Sequence, residues 1–162
     1  MFISLKKMVN MKLFLTKVKE YSMNANKNKH QCLIIGSFRK HYSQIVETIN
    51  FFHANNIEVL SPKISTILNP EDEFVIFDYD PRDADIRQIE DKVLEKMHNT
   101  DFVYIVNPDG YIGQSTSFEI GYCHGKNLKI FAMEDSSELC SRYIHAVLKP
   151  NEIIKKLKEL KN

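Results

Sequence analysis

Asn107-Pro108-Asp109-Gly110-Tyr111-Ile112-Gly113-Gln114-Ser115-Thr116-Ser117-Phe118-Glu119-Ile120-Gly121-Tyr122 is the stretch on which the fold of this chain turns. It follows the unbroken apolar run Phe102 to Val106, which reads as a buried strand. It leads into a short helix closed by Gly125. A glycine-bearing turn between strand and helix leaves backbone N–H groups aimed at whatever lies above the sheet, which suits an anionic ligand. Gly110, Gly113 and Ser115 are its candidate ligand contacts, and Glu119 falls in the first helical turn, beside the mouth.

Two roles for Glu119 stand side by side. Thr116-Ser117-Phe118-Glu119 fits a capping box, in which the Glu side chain returns to the N-cap backbone. The other role is chemical. A carboxylate near a helix N-terminus is favoured in its ionised form by the macrodipole, the state a nucleophile needs. Gly121 tilts the balance toward chemistry, because glycine inside a helix is worth roughly 1 kcal/mol less than alanine and suggests close approach of another segment or a ligand.

Outward from this segment the chain alternates. Cys32-Leu33-Ile34-Ile35 is a second unbroken apolar strand, ending at Gly36. His41 to Ala54 predicts a helix with Ile45, Val46, Ile49 and Phe52 on one face. Ile57 to Leu60 predicts a strand stopped by Ser61-Pro62, and Lys63 to Arg82 is less regular, with a short strand expected at Phe74 to Phe77. Ala84 to His98 reads as a helix carrying Ile86, Ile89, Val93, Leu94 and Met97. Leu128 to Met133 reads as a strand, and Ser136 to Val147 and Asn151 to Leu160 as two late helices. Strands joined by helical crossovers imply an α/β domain: an open, doubly wound (flavodoxin- or Rossmann-like), mostly parallel sheet with helices on both faces. Ligands in such folds bind beyond the carboxyl ends of the strands, where the turns after Ile35 and Val106 both fall.

The run from Gly110 to Lys126, with Gly36-Ser37-Phe38-Arg39 upstream, resembles the nucleoside 2-deoxyribosyltransferase-like superfamily, which includes the deoxynucleoside 5′-monophosphate N-glycosidases. The resemblance spans roughly Gln31 to Leu148. It implies that Glu119 attacks the anomeric carbon of the sugar and displaces the base. It implies also that Gly36, Ser37 and Arg39 face the sugar or its 5′-phosphate, and that a neighbouring subunit of a homodimer helps close the pocket. Members of the family carry an Asp on the helix before the central strand, where this chain has Val93. Valine neither donates nor accepts a proton. Glu90 and Asp91 lie about one turn earlier and substitute only if the helix register shifts; Asp91 is the candidate second acid.

Composition narrows the classes. With 22 basic and 21 acidic residues, the net charge of +1 argues against a nucleic-acid partner. Cys32, Cys123 and Cys140 lack metal-ligand spacing, and buried thiols in a reducing, cytoplasmic setting are expected. Residues 1–30 read as a basic N-terminal extension and linker, and residues 31–162 as the domain. The extension has no apolar run of membrane-span length, so no membrane partner is expected, and a helix packed on the domain or a partner is the preferred reading. Asp78, Asp80, Asp83 and Asp85 lack the glycine and terminal Glu of an EF-hand, so Asp83 or Asp85 is expected to cap the next helix and no metal is assigned. Phe77 and Tyr79 suit packing more than base stacking, and His124 is the one histidine near enough in sequence to Glu119 to watch. GxGxxG and GxxxxGK[ST] are both absent, and no cofactor is assigned.

Three function classes remain. The first is an N-glycosidase or deoxyribosyltransferase acting on a nucleoside or its 5′-monophosphate. The second is a nucleotide-binding module whose chemistry has lapsed, and the third a nicotinamide-nucleotide glycohydrolase.

Overall fold

The computed structural model of the protein describes residues 29–159. The expectations for residues 1–28, and the end of the last helix at Leu160, lie outside the described residues. The elements run β1 (His30–Gly36), α1 (Phe38–Ala54), β2 (Ile57–Ser61), α2 (Ile86–Met97), β3 (Phe102–Val106), α3 (Gln114–Gly125), β4 (Ile130–Ala132), β5 (Ala146–Val147) and α4 (Pro150–Glu159). The strands form one five-stranded sheet in the order β2-β1-β3-β4-β5, with every pairing parallel. The chain is thus an α/β protein of the doubly wound, flavodoxin-like kind.

The alternation of side chains along a strand explains why two unbroken apolar runs occupy the centre. Cys32 and Ile34 of β1, with Phe102, Tyr104 and Val106 of β3, face α1 and α4 and pack on Ile45, Ile49, Phe52, Ile153 and Ile154. Leu33 and Ile35, with Val103 and Ile105, face the opposite side and pack on Leu94 and Met97 of α2 and Ile120 and Cys123 of α3. Phe52 lies edge-on to Phe102 and Tyr104, at 6.3 and 5.2 Å between ring centres. Removing so buried a ring is worth ~3–5 kcal/mol. The three cysteines are free thiols, Cys32 and Cys123 buried as expected. Burial, with Glu119's charge second, pushes the Cys123 thiol up to about 12. Among the described residues no helix is long and apolar enough to cross a membrane.

Several boundaries differ from those the sequence predicts. The expected helix over Ser136 to Val147 is instead a 3-10 turn (Leu139–Tyr143) followed by the edge strand β5. Two paired residues carry too little alternation to register as a strand, and their pairing with Phe131 and Ala132 is a tertiary effect. Phe74 to Phe77 forms no strand; Phe77 makes only an isolated antiparallel bridge to Ile67. Helix α1 begins three residues earlier than His41, where its backbone kinks (φ −129°, ψ 27°). Helix α3 begins at Gln114, so Glu119 sits in its second turn and not its first.

Candidate active site

The central pair β1 and β3 marks the switch point of the sheet, because the chain leaves β1 toward one edge and β3 toward the other. Gly36 is the register partner of Val106, so the two glycine-bearing turns leave the sheet side by side. Gly36 has φ +151°, and a Cβ there would run into the carbonyl oxygen of Val106. Only glycine fits this close approach.

After Gly36, Ser37 caps α1, its Oγ accepting a hydrogen bond from the Lys40 N–H at 3.3 Å. Arg39 is exposed on the following turn. The ion pairs among the described residues are His30–Asp101, Arg87–Asp91 and Lys149–Glu134, which leaves the Arg39 guanidinium without a carboxylate partner there.

The turn after β3 is pinned from below. Asn107 is fully buried, its amide donating to the Glu134 carbonyl at 2.8 Å and accepting from the Glu134 N–H at 3.0 Å. The Asp109 N–H donates to the Glu134 carboxylate at 3.1 Å, and Lys149 holds that carboxylate from the other side at 3.0 Å. The lysine keeps the Glu134 carboxyl below its ordinary range. Gly110, at φ +72°, turns the chain against the Asp135 carbonyl. Helix α3 then starts with Gly113 as its N-cap, and no side chain closes that cap. The first-turn N–H groups of Gln114, Ser115 and Thr116 have no acceptor within the helix, the arrangement that binds anions.

These elements wall a cavity of about 990 Å³ lined by Gly36, Ser37, Arg39, Gly113, Ser115 and Glu119. The sequence-predicted contacts are therefore brought together, with one exception: Gly110 shapes the loop and is not a wall residue. The segment between β2 and α2 roofs the cavity with Asn69, Phe74, Phe77 and Tyr79, a placement that the sequence does not signal for Asn69 and Phe74. It is tied down by Tyr42, whose hydroxyl donates to the Ser65 carbonyl at 2.7 Å and accepts from its N–H at 2.8 Å. Phe77 is buried between Phe38, Tyr42 and Tyr79, its ring stacked on Tyr79 at 5.2 Å. The aspartates nearby have structural tasks. Asp85 caps α2 in a capping box with Gln88, Asp80 accepts from the Phe77 N–H, and Asp78 accepts from the Ser65 hydroxyl.

Glu119 projects from α3 into the cavity wall and is only 5 % exposed. It makes no capping box, since the cap is Gly113. The expected ionisation by the macrodipole is reversed. Dipole effects fade beyond the first turn, and burial, with the charge of Glu90 second, raises the carboxyl well above its ordinary range. Glu90 shares the cavity, while Asp91 lies outside it, paired with Arg87 at 3.7 Å. Both acids border a neighbouring depression of about 640 Å³, which meets the cavity at Phe74, Ile86, Glu90 and Ser115. Val93 lines the cavity beside Glu90. Gly121 is exposed, and a Cβ there would meet nothing within 4 Å, so the expected close approach by another segment is not made by any described residue. His124 lies against Tyr143, 4.4 Å between ring centres, and is not a wall residue.

No protein-family model matches the chain, and no curated protein sequence does. Among solved structures it is similar to a conserved protein from Enterococcus faecalis V583, at 12% identity and a TM-score of 0.50. That match covers 82% of this chain and 99% of the other. At this identity the likeness is one of fold.

Proposed function

We propose that the cavity takes a nucleoside or nucleoside 5′-monophosphate and breaks or exchanges its N-glycosidic bond, with Glu119 as the nucleophile. The observation that carries this reading is Glu119 itself: a buried carboxyl, with no cap to make, in the wall of a cavity at the sheet's switch point. Cleaving an N-glycosidic bond builds positive charge at the anomeric carbon, which a facing carboxylate captures. The uncapped start of α3 and the Arg39 guanidinium, without a carboxylate partner among the described residues, suit a 5′-phosphate.

A panel of nucleosides, deoxynucleoside monophosphates and nicotinamide nucleotides, assayed for released base, tests it. Base from the first two groups supports the reading, and release confined to nicotinamide points to the glycohydrolase. Binding without turnover supports the lapsed module, which Val93 in the cavity wall favours. The working unit in this proposal is a homodimer in the cytoplasm, its second subunit covering the depression that Phe118 borders and that joins the cavity at Glu90 and Ser115.

A further inference from the structure

Among the described residues three buried side-chain polar atoms lack a hydrogen-bond partner, and one of them, Glu90 Oε1, belongs to a cavity wall. A buried carboxyl oxygen left unpaired is costly unless something fills the site. Glu90 projects from α2 one turn before Val93, and it stands where the cavity and the neighbouring depression meet. Glu119 reaches the same cavity from α3. Two carboxyls thus reach one cavity from facing helices, and one of their oxygens is unpaired; glycosidic chemistry uses two carboxyls of this kind.

We infer that Glu90 is the second catalytic residue of the site, a general acid that protonates the departing base and then, as a base, activates water. The inference rests on the N-glycosidic reading above. A Glu119 oxygen forms a bond to C1′ as the C1′–N bond breaks. The electron pair of that bond leaves with the base, which takes the proton of the Glu90 carboxyl. Glu90, now a carboxylate, accepts a proton from water as the water oxygen attacks C1′. The C1′–O bond to Glu119 breaks, its electron pair returns to the Glu119 carboxylate, and Glu90 is again a carboxyl. Water and nucleotide have become free base and sugar phosphate. Burial raises both carboxyls above their ordinary range, with the charge of Glu90 second at Glu119 and the charge of Asp91 second at Glu90. In this scheme Val93 is a wall residue with no proton to supply, and Asp91 stays with Arg87.

The test compares Glu90→Gln with the parent on two leaving groups: a deoxynucleoside 5′-monophosphate, whose base needs a proton, and 4-nitrophenyl 2-deoxyribose 5-phosphate, whose nitrophenolate does not. The expected result is a loss of at least about a hundredfold in kcat/KM on the nucleotide and less than about threefold in kcat/KM on the nitrophenyl substrate, whose kcat falls because the water step is common to both. Glu90→Asp, which keeps the acid, is expected to recover part of the loss on the nucleotide. Unchanged rates on both substrates would overturn the role of Glu90 while leaving the site's activity standing. Equal losses in kcat/KM on both would assign Glu90 to packing or binding and overturn it too. A parent protein that cleaves neither substrate would instead remove the N-glycosidic reading, and this inference with it.

Discussion

Gly36 and Val106 are register partners at the carboxyl ends of the two central strands, and the Val106 carbonyl oxygen occupies the place a Cβ on Gly36 would take. The turn that carries Ser37 and Arg39 is therefore positioned by a contact only glycine permits. Gly36→Ala must open this contact or twist the turn, and backbone strain of this kind costs about 1–3 kcal/mol. The urea midpoint should fall with the slope unchanged. An unaltered midpoint would mean that the turn relaxes without strain.

Glu119→Gln is expected to yield a protein that is more stable and nearly inactive. In the unfolded chain the carboxyl ionises near its ordinary pKa of about 4.3, while burial and Glu90 raise it in the fold. Below the unfolded value both states are protonated and nothing is lost. As pH rises toward the folded value the unfolded chain ionises first, so folding stability falls. The amide escapes that penalty. Its melting temperature should exceed the parent's at pH 7 by ~3 °C for each kcal/mol recovered, and the two should converge near pH 4. Base release should drop by at least about a hundredfold. Equal melting temperatures at pH 7 would mean that the carboxyl is solvated after all.

The fold was legible where the chemistry is continuous along the chain. Cys32 to Ile35 and Phe102 to Val106 are unbroken apolar runs because each serves two cores, one per face, with helices packed on both. Ala146-Val147 was not legible, since its strand character comes from pairing with β4. Glu119 could be singled out from its turn, but its environment could not. An N-cap at Gly113 instead of Thr116 moves it out of the cap and the dipole's reach and into a buried wall. The choice between Glu90 and Asp91 depends on a 100° step around α2, which only the packing of Ile89, Leu94 and Met97 settles. The roof over the cavity was hidden because Tyr42 holds Ser65 from 23 residues away.

Arg39 should govern preference for a phosphorylated ligand. Arg39 is exposed and lines the same cavity as the uncapped start of α3, and among the described residues no carboxylate competes for it. A charged hydrogen-bonded contact is worth about 1.5–3 kcal/mol, roughly tenfold or more in affinity. Calorimetry is expected to show 5′-monophosphates binding more tightly than the matching nucleosides, with Arg39→Ala removing most of the difference. Equal affinities in the parent would make this a nucleoside site.

Association of two chains is the remaining expectation. Phe118 of α3 and Ile86 of α2 are 57 % and 55 % exposed, and both border the depression that joins the cavity at Glu90 and Ser115. Large apolar side chains clustered beside a functional opening mark an interface more often than a bare surface. Gly121, one turn beyond Phe118 and open to solvent, leaves that part of α3 low enough for a second backbone to come near. Light scattering at micromolar concentration should give twice the 18.9 kDa of one chain. Phe118→Ser should shift the mass toward the single chain and weaken nucleotide binding together, because the subunit that leaves also uncovers the cavity. A parent protein that scatters as 18.9 kDa and binds nucleotide normally would show that one chain closes its own site.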